Sequence, residues 1–444
     1  MKTMHISRWR KYFAEIIGTE ISAFSRYYDQ LIQYKILEND SGLLYQEIEC
    51  AKKTRIFNHN EFPDLTHERQ QRSLVFFSGT FNHHHDIQEL LSILKPKLSR
   101  TSRIVVVVYN SYYRWLYILA NKLGIRKGEA PNTFITSADI VNICKISGFD
   151  LIKLRSAVFF PFKWFWFGAI INWLFPALPF IKNFGLVCIT VLRPIIKESK
   201  TPSLSIVIPA RNEKGNIRNA LERMPKFDGA DLEIIFVEGH SVDGTWEEIA
   251  KVQKDYSSRF YIKAHKQKGI GKADAVRLGF AKASRHLMTI LDADLTMPPE
   301  RLELFYEAYC LGFADFINGN RLVYPMEKKA MRFLNRLGNA FFAKTLSYIL
   351  DIKIGDSLCG TKLITRHDYQ RFESWRKDFG AFDPFGDFEL LYPAAILSLG
   401  IIDIPIRYLD RKYGNTNISR FHHGIMLFWM LWTGFFKIKV GRYW

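Results

Sequence analysis

Cysteine is scarce in this sequence, and acidic residues are too few to balance the basic ones. The five cysteines, none of which belongs to a C-x-x-C pair, are Cys50, Cys144, Cys188, Cys310 and Cys359. Their odd number and wide spacing indicate neither a zinc site nor a disulfide framework. Residues 1–15 include bases but no apolar core, so we expect no secretory signal there. These features favour a reducing, cytosolic setting.

The excess of basic residues indicates an anionic partner. Lys and Arg number 62 against 44 Asp and Glu, which gives a formal net charge of +18. Such a charge suits nucleic acid, acidic lipid or a phosphorylated substrate. The basic residues are dispersed and no nucleic-acid-binding motif is present, so no nucleic acid is expected among the partners. Because Phe, Tyr and Trp make up 15% of the chain, an anionic membrane surface is the favoured partner.

The length of 444 residues predicts two or three domains. The clearest boundary is the polar stretch 197–202, Lys-Glu-Ser-Lys-Thr-Pro, which lies between strand-like runs at 187–192 and 204–208. We therefore divide the chain into residues 1–198 and 199–444.

In the first half, strand-like and helix-like runs alternate. Ser137 is placed to begin a helix and Gly148 to end it. This alternation predicts a mostly parallel sheet with helices packed on it. The predicted elements are strands at 73–77, at 104–109 and near residue 150, and helices at 87–98, near 112–123 and at 137–147.

The last part of the first half is strongly apolar. Residues 157–186 carry only two charges, Lys163 and Lys182, and are long enough to span a bilayer. Three prolines interrupt any spanning helix. Trp and Phe beside Lys favour a segment that lies in the membrane interface, and the alternatives are a buried core insertion and a spanning segment.

A second apolar stretch lies at residues 425–436, with Lys437, Lys439 and Arg442 behind it. About a dozen apolar residues are too few to cross a bilayer. They suit an interfacial anchor, and the alternative is a terminal helix packed on the domain. We therefore treat residues 421–444 as a membrane-associating tail.

Two acids one residue apart are the strongest chemical signal in the second half. The apolar run 287–291 reads as a buried strand, and Asp292 and Asp294 follow it directly. Open α/β sheets bind their ligands at the carboxyl ends of the strands. Two carboxylates at this spacing suit Mg²⁺ or Mn²⁺ held against a diphosphate. An isolated Asp-x-Asp triplet is weak evidence for a metal site, so the interpretation depends on the segments around it.

Polar turns follow two other predicted strands. Residues 209–213, Pro-Ala-Arg-Asn-Glu, come after the run 204–208. The run 232–237 ends in Glu238, and Asp243 lies in the turn beyond it. Carboxylates at these strand ends can accept hydrogen bonds from a ribose or a base.

A glycine-rich segment precedes a helical pattern at residues 268–275, Lys-Gly-Ile-Gly-Lys-Ala-Asp-Ala. Its two glycines let the backbone approach a ligand, and Lys272 can meet a phosphate. The spacing matches neither a Walker loop nor the G-x-G-x-x-G fingerprint.

Taken in order and at this spacing, these segments resemble the family 2 glycosyltransferases with a GT-A fold, and most closely the polyprenyl-phosphate sugar synthases. The resemblance covers about residues 203–420. It implies an α/β, Rossmann-like glycosyltransferase domain at residues 199–420.

The resemblance also implies roles on the donor side. Glu238 would bind the nucleoside, although the family commonly has paired aspartates where this chain has Glu238-Gly239. Asp292 and Asp294 would hold the metal and the diphosphate. The implied donor-side residues are Pro209, Arg211, Glu213, Glu238, Asp243, Lys272, Asp292, Arg411 and Lys412.

On the acceptor side, Asp387 would orient the acceptor or act as a base. Arg321, Arg411 and Lys412 would pair with phosphates. The residues assigned to the reaction itself are Asp387, Asp294 and Arg321. A lipid phosphate needs cations more than a base, whereas an alcohol needs a general base. These cations therefore favour a phosphate acceptor.

The first half resembles the later portion of class I SAM-dependent methyltransferases. The resemblance rests on residues 78–86, Ser-Gly-Thr-Phe-Asn-His-His-His-Asp, and on residues 137–149. Residues 1–72 lack the Gly-rich strand-to-helix loop that such enzymes use to approach SAM. We expect an incomplete Rossmann-like domain without methyltransferase activity. Adjacent histidines point in different directions, so residues 83–85 are not interpreted as a metal site.

The sequence as a whole predicts a metal-dependent glycosyltransferase, peripheral or interfacially anchored at the cytoplasmic face of a membrane. The expected donor is a nucleotide sugar and the expected acceptor is polyprenyl phosphate. The alternatives are transfer to a hydroxyl of a glycan or glycolipid, and a non-catalytic GT-A-like scaffold. Nothing in the sequence sets the oligomeric state.

Overall fold

The computed structural model describes residues 8–37, 40–67, 71–124, 131–325, 333–379, 386–411, 413 and 420–440. The chain divides into two compact units. The first comprises Met1–Ile196, Ile396–Ser398 and Phe435–Trp444, and the second comprises Lys197–Ala395 and Leu399–Gly434. One division between the two units falls after Ile196, at the start of the polar stretch noted above.

A six-stranded sheet forms the centre of the first unit. Its strand order is β2-β1-β3-β4-β6-β5, and only β6 runs antiparallel to its neighbours. The predicted mostly parallel sheet is confirmed. The strands are β1 (Gln30–Tyr34), β2 (Lys52–Ile56), β3 (Ser73–Ser78), β4 (Arg103–Tyr109), β5 (Phe149–Ala157) and β6 (Val187–Pro194).

Alternate residues of β4 enter separate cores on the two faces of this sheet. Ile104 and Val106 belong to one apolar cluster, whereas Val105 and Val107 belong to the other. Successive side chains of a strand point to opposite faces. A continuous apolar run such as that of β4 is therefore typical of a sheet covered on both sides.

Helices surround this sheet, and two of them differ from the prediction. The helix predicted at 87–98 is α-helical only to Leu94, because Pro96 places residues 95–97 in a 3-10 turn. The cap of the helix predicted at 137–147 is Thr136 rather than Ser137, since Thr136 and Asp139 exchange capping-box hydrogen bonds. The helices are α1 (Arg8–Ser25), α2 (Leu43–Glu47), α3 (Thr80–His83), α4 (Ile87–Leu94), α5 (Arg114–Lys122), α6 (Ser137–Ile146) and α7 (Phe167–Leu174).

The apolar stretch 157–186 contains one short helix, α7, followed by the 3-10 turn Phe175–Ala177. In the part of the chain that the structure describes, no helix is long and apolar enough to cross a bilayer. Residues 162–167 lie on the surface, and the Phe165 ring is 84% exposed. This part of the stretch is therefore not a buried core insertion.

A seven-stranded sheet forms the centre of the second unit. Its strand order is β13-β11-β12-β10-β7-β8-β9, and only β12 runs antiparallel to its neighbours. The strands predicted at 204–208, 232–237 and 287–291 are confirmed as β7, β8 and β10. The strands are β7 (Leu204–Ala210), β8 (Leu232–Glu238), β9 (Tyr261–Lys266), β10 (Leu287–Ile290), β11 (Phe316–Asn320), β12 (Lys362–Thr365) and β13 (Ile401–Pro405).

The helices beyond residue 197 alternate with these strands and then gather near the end of the chain. They are α8 (Lys214–Glu222), α9 (Thr245–Asp255), α10 (Lys272–Lys282), α11 (Leu302–Cys310), α12 (Phe333–Leu350), α13 (Arg366–Phe379), α14 (Phe388–Ile396) and α15 (Arg420–Gly434), and the π-helical turn Phe435–Val440 follows.

Helix α15 has one packed face and one exposed apolar face. The Phe428 ring contacts the Phe341 and Phe342 rings of α12, with centroids 5.5 and 5.4 Å apart. The Tyr392 hydroxyl donates a hydrogen bond of 2.9 Å to the Met430 carbonyl oxygen. Residues on the exposed face are Ile425, Trp429 and Trp432. Helix α15 is thus packed on the second unit, and it also presents the apolar surface that an anchor needs.

Two helix glycines provide a test of the packing in the second unit. A Cβ on Gly279 of α10 would lie 2.2 Å from Val207 Cγ1, whereas nothing lies within 4 Å of a Cβ on Gly338 of α12. We expect Gly279→Ala to lower the free energy of unfolding by about 1–3 kcal/mol, because it overpacks α10 against β7. Gly338→Ala should raise it by up to about 1 kcal/mol through helix propensity. Denaturant titration of both variants measures this, and changes of the same sign would contradict the packing.

Candidate active site

Three strands of the second sheet end at one edge and turn sharply there. Ala210 pairs with Glu238 at the ends of β7 and β8. Beyond β7, β8 and β10, three residues other than glycine have positive φ: Asn212 (56°), His240 (57°) and Leu295 (52°). Such backbone is strained and is concentrated at functional sites. These turns keep the polar residues that follow each strand close to the sheet edge.

The two acids of the Asp-x-Asp triplet lie at the end of β10, as predicted. The Leu295 amide donates to the Asp292 carbonyl oxygen at 3.2 Å and closes the turn. Asp294 Oδ1 accepts hydrogen bonds from the amide and the hydroxyl of Thr296, at 3.1 and 2.8 Å. One oxygen of Asp294 is thus held by its own turn.

Each of these acids has a basic partner. Lys272, the first residue of α10, forms an ion pair with Asp292. Arg411 Nη2 lies 2.6 Å from Asp294 Oδ2. Burial alone would raise the pKa of Asp292, but the Lys272 ammonium holds that pKa below its usual value. Asp292 therefore remains ionised although it is half-buried.

Arg411 also binds a third acid and so links the ends of β7 and β10. Its Nη1 donates to Glu213 Oε1 at 3.0 Å, and Asn216 Nδ2 donates to Glu213 Oε2 at 2.7 Å. Burial raises the pKa of Glu213 to about 7, although the nearby Arg411 charge opposes this shift.

The predicted nucleoside-binding residues are held by the turn after β8. Glu238 is buried and accepts a hydrogen bond from the Ser241 amide. Asp243 accepts hydrogen bonds from the Thr245 amide at 3.0 Å and the Lys214 amide at 3.2 Å. Burial would raise the pKa of Asp243, but these hydrogen bonds and those of the Thr245 and Tyr413 hydroxyls lower it. Both carboxylates therefore stabilise the turn itself.

The two remaining donor-side residues near β7 differ in exposure. Pro209 is half-buried within the strand, and Arg211 is exposed next to Gly239. Arg211 is thus available to an anionic ligand at the sheet edge.

Arg321, which the resemblance assigns to phosphate, is held by a buried acid without a predicted role. Arg321 donates to Asp356 through Nε at 2.7 Å and through Nη2 at 2.9 Å, so the pair is bidentate. The Arg321 guanidinium also lies over the Tyr408 ring, 5.3 Å from its centroid. These contacts fix the orientation of the guanidinium, and its role toward phosphate stays a prediction.

Asp387, assigned to the acceptor, also has a buried partner without a predicted role. Lys362 Nζ donates to Asp387 Oδ1 at 2.5 Å and to the Cys359 carbonyl oxygen. The signal in the sequence is a lysine that opens the otherwise apolar strand β12. The charges of Lys362 and Arg321 both contribute to the lowered pKa of Asp292. Both additional pairs therefore belong to the same site.

Residues 408–411 and Tyr413 lie across these strand ends. The Leu409 amide donates to the Thr296 carbonyl oxygen at 2.9 Å. The Tyr413 hydroxyl donates to Asp243 at 3.2 Å, and its ring lies against Gly215, where a Cβ would come within 2.6 Å. With Arg411 between them, these contacts fasten the segment to all three turns. Lys412 lies outside the described residues.

The acids fit a divalent metal that arrives with its substrate. Within the described ranges, no group of three or more His, Cys, Asp or Glu side chains is placed to hold a metal ion. Mg²⁺ is commonly held by one or two carboxylates together with substrate phosphates. A Cβ on Gly360 would lie 2.5 Å from Asp292 Oδ2, so a glycine there keeps the space beside that oxygen open. Asp292 and Asp294 therefore supply a suitable pair of oxygen ligands.

Comparison with known proteins identifies the class of this domain. Residues 205–372 match the family model described as glycosyl transferase family 2. The chain therefore contains a family 2 glycosyltransferase domain. The family model does not extend into the first half of the chain, and the methyltransferase resemblance there stays a prediction.

Two curated relatives show how far the similarity extends. The chain is 34% identical to a dolichol-phosphate mannosyltransferase of Pyrococcus furiosus over 27% of its own length and 33% of that protein. It is 26% identical to a dolichyl-phosphate hexose transferase of Haloferax volcanii over 50% of its own length and 89% of that protein. The chain thus spans about a third of the Pyrococcus protein and most of the Haloferax protein.

Among solved structures, the chain is similar to glucosyl-3-phosphoglycerate synthase from Mycobacterium tuberculosis in complex with Mn²⁺ and UDP-glucose. The identity is 16% and the TM-score is 0.39, over 54% of this chain and 80% of that one. This likeness is too distant to support a conclusion about the present chain.

The buried Arg321–Asp356 pair should be much more important for stability than an exposed pair of the same geometry. Asp356→Asn leaves the guanidinium buried beside a neutral amide, and we expect the free energy of unfolding to fall by about 3–5 kcal/mol. Arg223 makes an equally bidentate pair with Glu300, at 2.8 and 2.9 Å, on the surface. Glu300→Gln should cost less than about 1 kcal/mol. Denaturant titration compares the two, and equal losses would refute the importance of burial.

Glu213 should make the stability of the protein depend on pH. Its folded pKa of about 7 lies above its ordinary value of 4.5, so the folded state retains a proton that the unfolded state has lost. The stabilisation is complete below pH 4.5 and is lost as the pH rises through 7.

The variant that tests this is Glu213→Gln, which cannot ionise. Relative to wild type, we expect it to gain about 2 kcal/mol of unfolding free energy between about pH 5 and about pH 8. Denaturant titration at the two pH values measures the gain. An unchanged difference between variant and wild type would show that Glu213 titrates normally.

Proposed function

We propose that this protein transfers a sugar from a nucleotide-sugar donor to a lipid phosphate of the polyprenyl type. One observation carries the proposal: Asp292 and Asp294 emerge beside Lys272 and Arg411 at the sheet edge of a family 2 glycosyltransferase domain. The two relatives described above are named dolichol-phosphate mannosyltransferase and dolichyl-phosphate hexose transferase. These names supply the acceptor class.

On the donor side, Asp292 and Asp294 would hold Mg²⁺ or Mn²⁺, which would neutralise charge on the departing diphosphate. Lys272 and Arg411 already lie against these carboxylates. They would remain next to the phosphates and stabilise the same charge. Glu238 and Asp243 shape the turn proposed to receive the nucleoside.

The transfer breaks the bond between the anomeric carbon and the diphosphate oxygen, and the diphosphate leaves with the electron pair. A new bond forms from the anomeric carbon to an oxygen of the acceptor phosphate. That oxygen is already anionic, so no proton has to be removed. The pairing of Asp387 Oδ1 with Lys362 suits this acceptor, because a carboxylate held by an ammonium is poorly placed to act as a base.

The alternatives make different demands on the same residues. A hydroxyl of a glycan or glycolipid would require a general base, and Asp387 is the residue assigned to that role. A non-catalytic scaffold would have no use for two metal-binding carboxylates with dedicated cations. We therefore favour the phosphate acceptor and a catalytic domain.

A polyprenyl acceptor also requires contact with a membrane. We propose a peripheral position at the cytoplasmic face, with the exposed side of α15 lying in the interface. Ile425, Trp429 and Trp432 provide apolar and aromatic contacts, and Lys437 follows them in the chain.

The proposal is tested by incubating the purified chain with a panel of nucleotide sugars and polyprenyl phosphate. We expect sugar-linked lipid to form only with Mg²⁺ or Mn²⁺, to be abolished by EDTA, and to return when metal is restored. Asp294→Asn should lower kcat by about 100-fold or more. Asp255→Asn, an exposed acid at the end of α9, is the matched control and should retain wild-type activity.

Three outcomes would each contradict a part of this function. Transfer at the full rate in EDTA would exclude the metal role of Asp292 and Asp294. Equal transfer to polyprenol would favour the hydroxyl acceptor. An absence of transfer from every nucleotide sugar would support the scaffold alternative.

A further inference from the structure

The first unit carries an exposed aromatic surface that the active site does not use. It is formed by two segments, the turn and helix at residues 111–122 and the apolar stretch at residues 159–184. We call it the aromatic face. Contiguous exposed apolar surface of this kind marks a partner or a membrane. Its exposed rings include Trp115, Trp164, Phe165, Trp166, Phe180 and Phe184.

The two segments are joined directly and form one surface. The Tyr113 hydroxyl donates to the Phe184 carbonyl oxygen at 2.7 Å, and the Tyr112 and Phe184 rings lie 5.7 Å apart. The Tyr117 hydroxyl donates to the Leu186 carbonyl oxygen at 2.6 Å. Helix α5 is therefore fastened along the end of the apolar stretch.

Residues 159–168 form a loop within the aromatic face, and this loop keeps its shape although several of its rings are exposed. The buried Asn172 side chain accepts hydrogen bonds from the Phe159 and Phe160 amides, at 2.7 and 3.1 Å. It donates to the Phe160 and Gly168 carbonyl oxygens, at 2.7 and 2.9 Å. A Cβ on Gly168 would come within 2.2 Å of the Phe162 carbonyl oxygen. The Asn172 side chain thus holds the loop from its buried side, while rings of the loop such as Phe165 and Trp166 stay exposed.

The charges of the aromatic face have one sign. Residues 111–124 and 157–186 contain no Asp or Glu, and their four charged residues are Arg114, Lys122, Lys163 and Lys182. Aromatic rings combined with basic side chains suit the boundary between anionic headgroups and acyl chains. A second copy of the chain suits it poorly, because a symmetric interface would bring these like charges together.

We propose that the aromatic face binds an anionic phospholipid leaflet, with its rings inserted at the depth of the headgroups. Removing each ring from water makes the free energy of binding more favourable, and the negative surface potential of the leaflet attracts the basic residues. The proposal concerns a membrane contact of the first unit. It extends the membrane position proposed for α15 and rests on residues separate from the active site.

The experiment is sedimentation of the full chain with vesicles of phosphatidylcholine, with and without phosphatidylserine. We expect binding to require the anionic lipid and to weaken at high salt. The triple variant Phe165→Ser, Trp166→Ser and Phe180→Ser should bind these vesicles at least about tenfold more weakly than wild type. Replacing Lys163 and Lys182 by Gln should remove most of the preference for phosphatidylserine.

A matched control uses exposed apolar residues of the same unit that lie outside the aromatic face. Phe57 is 59% exposed and Ile146 is 67% exposed. Phe57→Ser with Ile146→Ser should bind vesicles as wild type does. Circular dichroism should show the same fold for every variant, and transfer to polyprenyl phosphate in detergent should proceed at the wild-type rate. This last assay separates a failure of membrane binding from a failure of the proposed function.

Three results would overturn the inference. The triple variant could bind vesicles as tightly as wild type. Binding could depend only on residues 425–444. The wild-type chain could dimerise without lipid while the triple variant remains monomeric, which would assign the face to a second copy of the chain.

Discussion

Four carboxylates at one edge of the second sheet each have a basic side chain beside them. Like charges this close repel strongly where water is scarce, so each acid needs a cation close by to hold the arrangement together. The cations that satisfy this requirement are also the groups suited to a diphosphate. One electrostatic balance thus both holds the edge together and prepares it for an anionic substrate. The pairs are Asp292–Lys272, Asp294–Arg411, Asp356–Arg321 and Asp387–Lys362.

The sequence predicts the acids of this arrangement better than it predicts their partners. The run before Asp292 is apolar and short, so its strand and the position of the acids follow from local pattern. Asp356 and Lys362 lie 35 and 25 residues from the side chains that they bind. Their pairing depends on how β11 and β12 come together, and no local spacing records it. Arg411 is a similar case, because the turn that carries it contacts β7 and β10 from far along the chain.

The first half shows the same limit for secondary structure. Strands β3 and β4 have continuous apolar centres and are predicted, whereas α1, β1 and β2 are not. Strand β2, Lys-Lys-Thr-Arg-Ile, lies at the sheet edge with most of its side chains exposed, so it lacks the periodicity that identifies buried strands. The aromatic stretch of the same unit is conspicuous in the sequence. Only the structure shows that Asn172 holds its loop in place while the rings stay exposed.

Leu295 shows how a strained turn at the sheet edge is held in one conformation. Asn and His tolerate a left-handed backbone through local hydrogen bonds, but leucine has no such compensation. A glycine at this position would relieve strain of about 1–3 kcal/mol, but the loss of the buried leucine side chain from the core would cost about 2–5 kcal/mol. The glycine would also let the turn between Asp292 and Thr296 sample many shapes. The burial that stabilises the second unit thus also holds this strained turn in one conformation, so stability and a well-ordered site make the same demand on residue 295.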